Sequence, residues 1–93
     1  MQSISITLLG TAHCHLCEEA ECVLQTVLNS EAFNQRNIVP QKVDVMDDEN
    51  LYEQYGIKIP VVLLTLKQDL VVELYWPFDT KDLFSFLCQH LHM

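Results

Sequence analysis

Basic residues are scarce. Five Lys and Arg stand against thirteen Asp and Glu, for a formal net charge of −8. A surface this acidic repels a phosphate backbone, which argues against nucleic-acid binding; it suits solubility and a basic patch on a partner. Long apolar stretches are also missing. The longest, residues 61–66, is interrupted by Thr65 and is too short to cross a bilayer, so no membrane association is expected. Residues 1–9 lack the basic start, apolar stretch and small-residue cleavage site of an export signal, which makes the cytoplasm the expected compartment. Glycine and proline number two and three, so their positions carry information. There is no repeat, low-complexity tract or linker. What remains is 93 residues, 49% hydrophobic, enough to pack one domain over 1–93.

Apolar periodicity divides the chain. In residues 3–9, Ile4, Ile6 and Leu8 alternate with Ser3, Ser5 and Thr7, the pattern of a strand. From Cys14 the period changes: Leu16, Ala20, Val23, Leu24, Val27 and Leu28 predict a helix to about Ser30, with Glu18, Glu19 and Glu21 near its favourable N-terminal end. Residues 31–37 are polar and read as a connection. A second strand follows over 39–45, with Pro40 near its start as on a sheet edge. Residues 47–50, Asp-Asp-Glu-Asn, supply a cap and an acidic first turn for a short helix through Tyr55, which Gly56 is expected to end in a left-handed conformation. Residues 60–66 read as a strand covered on both faces. The weak turn 67–69 leads to a strand with Leu70, Val72 and Leu74 on one face, broken by Trp76-Pro77. Asp79 and Asp82 then have the spacing of a capping box, Phe78 can staple onto Leu83, and Leu83, Phe84, Leu87 and Leu91 line the buried side of a last helix. The order β-α-β-α-β-β-α implies an α/β fold with a four-stranded mixed sheet and helices on both faces.

The chemistry concentrates at Cys14-His15-Leu16-Cys17, where a strand leads into a helix. Residues three apart share a helix face, so two sulfurs can reach the ~2.05 Å of a disulfide. The first sulfur meets the free N–H groups and positive end of the helix, which favour thiolate, the attacking species. That predicts Cys14 as nucleophile and Cys17 as the more shielded thiol that resolves the mixed disulfide. His13 and His15 flank the nucleophile; a protonated imidazole there would add to the effect and Glu18 would oppose it. Two alternatives stay open. Cys88, His90 and His92 could join the pair in a zinc site, or both thiols could simply pack in the core. Haem attachment is disfavoured because Glu18 stands where CxxCH needs His. Cys22 and Cys88 read as packing or bystander thiols, and Phe84, Phe86 and Tyr52 as core or surface aromatics.

With the segment Tyr55-Gly56-Ile57-Lys58-Ile59-Pro60-Val61-Val62, the chain resembles the thioredoxin superfamily, and most of all its small glutaredoxin-like family. The resemblance implies a thioredoxin fold, a redox-active Cys14–Cys17 disulfide and a thiol–disulfide oxidoreductase acting in cell redox homeostasis. It also implies that Pro60 is cis and lies beside the cysteines, and that Ile59 pairs with a substrate chain. His13, His15, Ile59 and Pro60 are thus the expected substrate-binding residues. No metal or bound cofactor is expected; glutathione is a candidate electron donor, and a disulfide-containing protein or a small thiol the expected partner of a monomer. Several positions depart from the family patterns. Leu8 stands where thioredoxins bury a carboxylate. His15-Leu16 replaces their Gly-Pro and the Pro-Tyr of glutaredoxins. Trp76 and Phe78 occupy the place of the Gly-Gly that receives glutathione. These departures motivate a second reading, a binding module with weak catalysis.

Overall fold

The computed structural model describes residues 4–66 and 70–91. The Ser3 end of the first predicted strand, the turn 67–69 and His92 lie outside them. Four strands and three helices follow in the predicted order: β1 (Ser5–Gly10), α1 (His15–Leu28), β2 (Gln41–Asp44), α2 (Glu49–Tyr55), β3 (Val61–Thr65), β4 (Val71–Tyr75) and α3 (Thr80–Leu91). Short 3₁₀ turns lie at Asn34–Arg36 and Val45–Asp47.

The sheet order is β2-β1-β3-β4. β1 runs parallel to β2, with Leu8 opposite Lys42 and Gly10 opposite Asp44. It runs antiparallel to β3, with Leu9 opposite Val61, and β4 closes an antiparallel hairpin on β3. A parallel pair cannot be joined by a tight turn, so α1 makes the crossover and packs on one sheet face together with α3. Ile6, Leu8, Val62 and Leu64 meet Ala20, Leu24, Val27, Leu83 and Leu87 there. The opposite face is covered by α2 through a smaller cluster of Leu9, Val45, Tyr55 and Val61. Successive strand side chains alternate between these two cores, and the central strands β1 and β3 feed both.

The helix starts follow the capping chemistry. Asp48 caps α2, its carboxylate accepting from the N–H groups of Asn50 (2.9 Å) and Leu51 (3.2 Å). At α3 the Asp82 N–H donates to the Asp79 carboxylate (2.8 Å), and the Asp79 N–H donates back to that of Asp82 (3.1 Å), a reciprocal box. Phe78 is buried in the same core as Leu83.

Several expectations are corrected. Cys14 is the N-cap of α1, outside the helix, and α1 ends at Leu28. Leu16 is 44% exposed, and Cys17 takes the inward place in that first turn. β2 begins only at Gln41, because Pro40 has no N–H to give a ladder. Gly56 is right-handed, at φ −52°, and its N–H donates to the Tyr52 carbonyl as one more helical turn. Its lack of a side chain matters instead: a Cβ there would lie 2.5 Å from the Tyr52 carbonyl oxygen. The polar connection 31–37 buries Phe33, whose ring meets Phe84 edge-on at 5.5 Å.

Candidate functional site

β1 ends and α1 begins at one corner of the sheet, and the two cysteines stand there. Cys14 has extended backbone angles and its sulfur accepts from the Cys17 N–H at 3.2 Å. The sulfur therefore occupies the place a Ser or Asp oxygen takes at an ordinary N-cap, where the free N–H groups and the helix dipole favour negative charge. Cys14 and Cys17 form a disulfide, with Cα atoms 5.2 Å apart, inside the range a disulfide spans. Cys14 is half-buried and Cys17 buried. An incoming group thus reaches Cys14 first.

Gly10 sets the depth of Cys17. A Cβ at position 10 would meet the Cys17 sulfur at 3.0 Å and its Cβ at 3.1 Å, closer than most real contacts. The end of β1 can pass under the second sulfur because residue 10 has no side chain. Gly10 is the last residue of β1, one beyond the strand that periodicity predicts over residues 3–9.

A cavity of about 340 Å³ opens beside the pair, with Cys14, Cys17, His13, Glu18, Glu21 and Lys42 among its walls. Leu8 lines its floor and is only 3% exposed. Among the described residues no polar or charged side chain is buried. Lys42 pairs with Glu21 at 3.1 Å across the cavity wall. His13 has a positive φ of 61°, a region His visits more readily than most residues, and it faces this cavity beside Cys14. His15 does not line it; its Nε2 lies 3.4 Å from the Glu19 carboxylate on an exposed face. Asp44 ends β2 at the same cavity. The Met46 N–H donates to its carboxylate at 2.9 Å and holds its pKa below the ordinary carboxylate value.

Pro60 is buried at the start of β3, and the Ile59–Pro60 and Trp76–Pro77 peptides are both cis. The β1–β3 register, continued by one residue, puts Pro60 across from Gly10 and so next to Cys17. The Pro60 carbonyl accepts from the Trp76 N–H at 3.2 Å. Cys14, Cys17 and His13 thus gather around one cavity, Pro60 follows at the adjoining end of β3, and His15 faces away from the cavity.

The profile of the glutaredoxin-like domain (DUF836) matches residues 5–88. The chain belongs to that family. No curated protein sequence matches it. Among solved structures, target protein XcR50 from X. campestris is 29% identical, with a TM-score of 0.70 over 91% of this chain and 97% of that one. Two more share the fold: thioredoxin 1 from Thermosipho africanus, at 16% identity and TM-score 0.67 over 95% and 94% of the two chains, and protein Ne2328 from Nitrosomonas europaea, at 19% and 0.66 over 89% of each.

In this glutaredoxin-like domain the remaining thiols stand apart from the pair. Cys22 is exposed on α1 and Cys88 packs at the edge of the larger core. Among the described residues no three side chains of His, Cys, Asp or Glu gather as metal ligands, and no helix is long and apolar enough to cross a membrane.

A second cluster, invisible to periodicity, ties α2 to β4. The hydroxyls of Tyr55 and Tyr75 both donate to the Glu73 carboxylate. Those bonds lower the Glu73 pKa, and the bond to Glu73, with burial, pushes Tyr55 up to about 12.

Proposed function

We propose that this glutaredoxin-like domain is a thiol–disulfide oxidoreductase with Cys14 as nucleophile and Cys17 as resolving thiol. The observation that carries the proposal is the Cys14 sulfur in the N-cap position, accepting from the Cys17 N–H. The same donor stabilises a thiolate once the disulfide is reduced.

The electron count is simple. The Cys14 thiolate attacks one sulfur of a substrate disulfide; that bond breaks and the first substrate thiolate leaves with the electron pair. Cys17 loses its proton to solvent and attacks the Cys14 sulfur. The Cys14–Cys17 bond forms and the second substrate thiolate leaves, so two electrons have passed to the substrate. An external thiol, glutathione or a dithiol reductase, returns the protein to the dithiol. His13 lines the approach to Cys14, and Ile59, ahead of the cis Pro60, is the residue with which a substrate chain pairs. A cytoplasmic setting suits a protein whose Cys22 and Cys88 remain free.

The test is turnover on a protein disulfide and on a small glutathione mixed disulfide. Loss of both activities in Cys14→Ser is expected; full activity in that variant overturns the mechanism. The second reading, a binding module with weak catalysis, draws support from Leu8 at the cavity floor, an apolar residue where thioredoxins bury a carboxylate. Partner capture that is unchanged in both Cys14→Ser and Cys17→Ser, without turnover, would favour it.

A further inference from the structure

Cys17 has to lose a proton before it can attack the Cys14 sulfur, and Leu8, the apolar floor of the cavity beside it, cannot take one. Three carboxylates stand in the cavity walls, those of Glu18, Glu21 and Asp44. Their surroundings differ. Asp44 accepts from the Met46 N–H at 2.9 Å, which holds its pKa down and makes it a poor proton acceptor. Glu18 follows Cys17 directly on α1 and is exposed, and adjacent helical residues do not face each other. Glu21 lies four residues on from Cys17, so the two share a helix face. Helical side chains lean towards the N-terminus, which carries the Glu21 side chain back over the turn of Cys17.

β2 holds this carboxylate from the other side. Lys42 is the register partner of Leu8, and its ammonium lies 3.1 Å from Glu21 Oε1. The ion pair joins α1 to β2 at the rim of the cavity. The Glu21 side chain is 37% exposed, so it touches both the cavity and the solvent outside. A cavity of about 340 Å³ has room for several water molecules at roughly 30 Å³ each. A proton leaving Cys17 therefore has a wet path to the Glu21 carboxylate.

We propose, resting on the oxidoreductase reading above, that Glu21 is the proton acceptor for Cys17 in the resolving step. In the mixed disulfide the Cys17 sulfur attacks the Cys14 sulfur while its proton passes through cavity water to the Glu21 carboxylate. The Cys14–Cys17 bond forms, the bond from Cys14 to the substrate sulfur breaks, and the substrate thiolate leaves with the electron pair. Glu21 then gives the proton to solvent. Lys42 is a positioning residue that keeps the carboxylate at the rim. The acceptor thus stands on the helix that carries the cysteines, one turn beyond Cys17, and not on the strand beneath them.

The sign of one substitution separates this role from that of a bystander ion pair. Glu21→Gln removes a negative charge near Cys17 and frees the Lys42 ammonium. By charge alone, both changes favour the Cys17 thiolate and quicken resolution. Loss of the proton acceptor slows it.

The protein for the test is the full chain with Cys22→Ser and Cys88→Ala, reduced, so that only the pair reacts. It is mixed in a stopped-flow instrument with one equivalent of the symmetrical disulfide of thionitrobenzoate. Attack by Cys14 releases one coloured thionitrobenzoate in a phase that depends on concentration. Resolution by Cys17 releases the second in a phase that does not. Glu21→Gln should slow the second phase at pH 7 by about tenfold or more, since a positioned general base contributes ~10²–10⁴ and solvent replaces part of it. Between about pH 6 and 8 its rate should climb about tenfold per unit, following the thiolate fraction of Cys17, while the parent chain rises less steeply. Glu21→Asp keeps a carboxylate and should restore the shallower profile. The first phase should stay within about threefold in every variant, because charges across a wet cavity are screened. Glu21→Gln preserves the size of the side chain at an exposed ion pair that adds little to stability, so folding is not at stake.

A second phase that is unchanged or faster in Glu21→Gln overturns the assignment and leaves Cys14 and Cys17 in their roles. An equal loss in Glu18→Gln also overturns it, since any carboxylate of the cavity would then serve. No release of thionitrobenzoate from the parent chain overturns the oxidoreductase reading and the assignment with it.

Discussion

Gly10 lies against Cys17 so tightly that a Cβ at position 10 would come within 3.0 Å of the buried sulfur. In the disulfide that sulfur is tethered to Cys14 and cannot swing away; in the dithiol it can rotate. Gly10→Ala is therefore expected to destabilise the oxidised protein by about 1–3 kcal/mol, the usual range for an overpacked core, and the reduced protein by less. Urea unfolding with and without reductant measures the difference. An equal loss in both states would mean that the strand end shifts as a whole and that Gly10 does not set the depth of Cys17.

Phe33 makes a second test. It is 1% exposed and lies in the same core as Leu24 and Leu87. Phe33→Ala should cost about 3–5 kcal/mol in urea unfolding, as for a large core truncation. A loss below about 1 kcal/mol would place the residue on a yielding surface loop.

What periodicity could and could not reveal follows from these residues. β1, α1 and α3 were legible because each has one apolar face and one polar face, and the CxxC was legible because it sits where the period changes from two to 3.6. Phe33 was not: a single aromatic among Glu31, Asn34, Gln35 and Arg36 has no pattern to join, and only the turn that folds it back under Phe84 buries it. Leu16 misled because it has helical spacing with Ala20, yet the N-cap at Cys14 turns Cys17 inward and leaves Leu16 in water. Tyr55 and Glu73 are 18 residues apart and belong to elements that meet only after the sheet forms, so no local rule connects them. The resemblance singles out Trp76, which stands where glutaredoxins receive glutathione, whereas its neighbours Ile57 and Tyr75 come together with it only in the folded chain.

The α3 start is open to the simplest substitution. Asp79 accepts from the Asp82 N–H and is held below its ordinary pKa mainly by that bond. Asp79→Ala should lower Tm by roughly 4–8 °C, the scale for losing one cap in a small domain. The difference between the two proteins should shrink as pH falls through the lowered Asp79 value, because a protonated Asp79 no longer caps. Thermal unfolding from pH 7 down to acid follows it, and a constant difference would contradict the charged cap.

Glu73 gives a dependence with two arms. Its folded pKa is below the ordinary 4.5, so its contribution is present above 4.5 and lost as pH falls through the lowered value. Tyr55 is raised from 10.0 to about 12, so its contribution is full below 10 and lost as pH rises through 12. The stability difference between the native chain and Glu73→Gln should therefore be level from 4.5 to 10.0 and narrow on both sides. Urea unfolding across pH measures it. A difference that grows towards acid would have the wrong sign for a carboxylate stabilised by two hydroxyls.

The most direct trial of the account is the rate of iodoacetamide labelling of each cysteine in the reduced protein as a function of pH, read by peptide mass. Cys14 should label first, with a midpoint below the ~8.5 of a free thiol, because the Cys17 N–H and the end of α1 hold its thiolate. Labelling of Cys14 at an ordinary midpoint, no faster than the exposed Cys22, would contradict it.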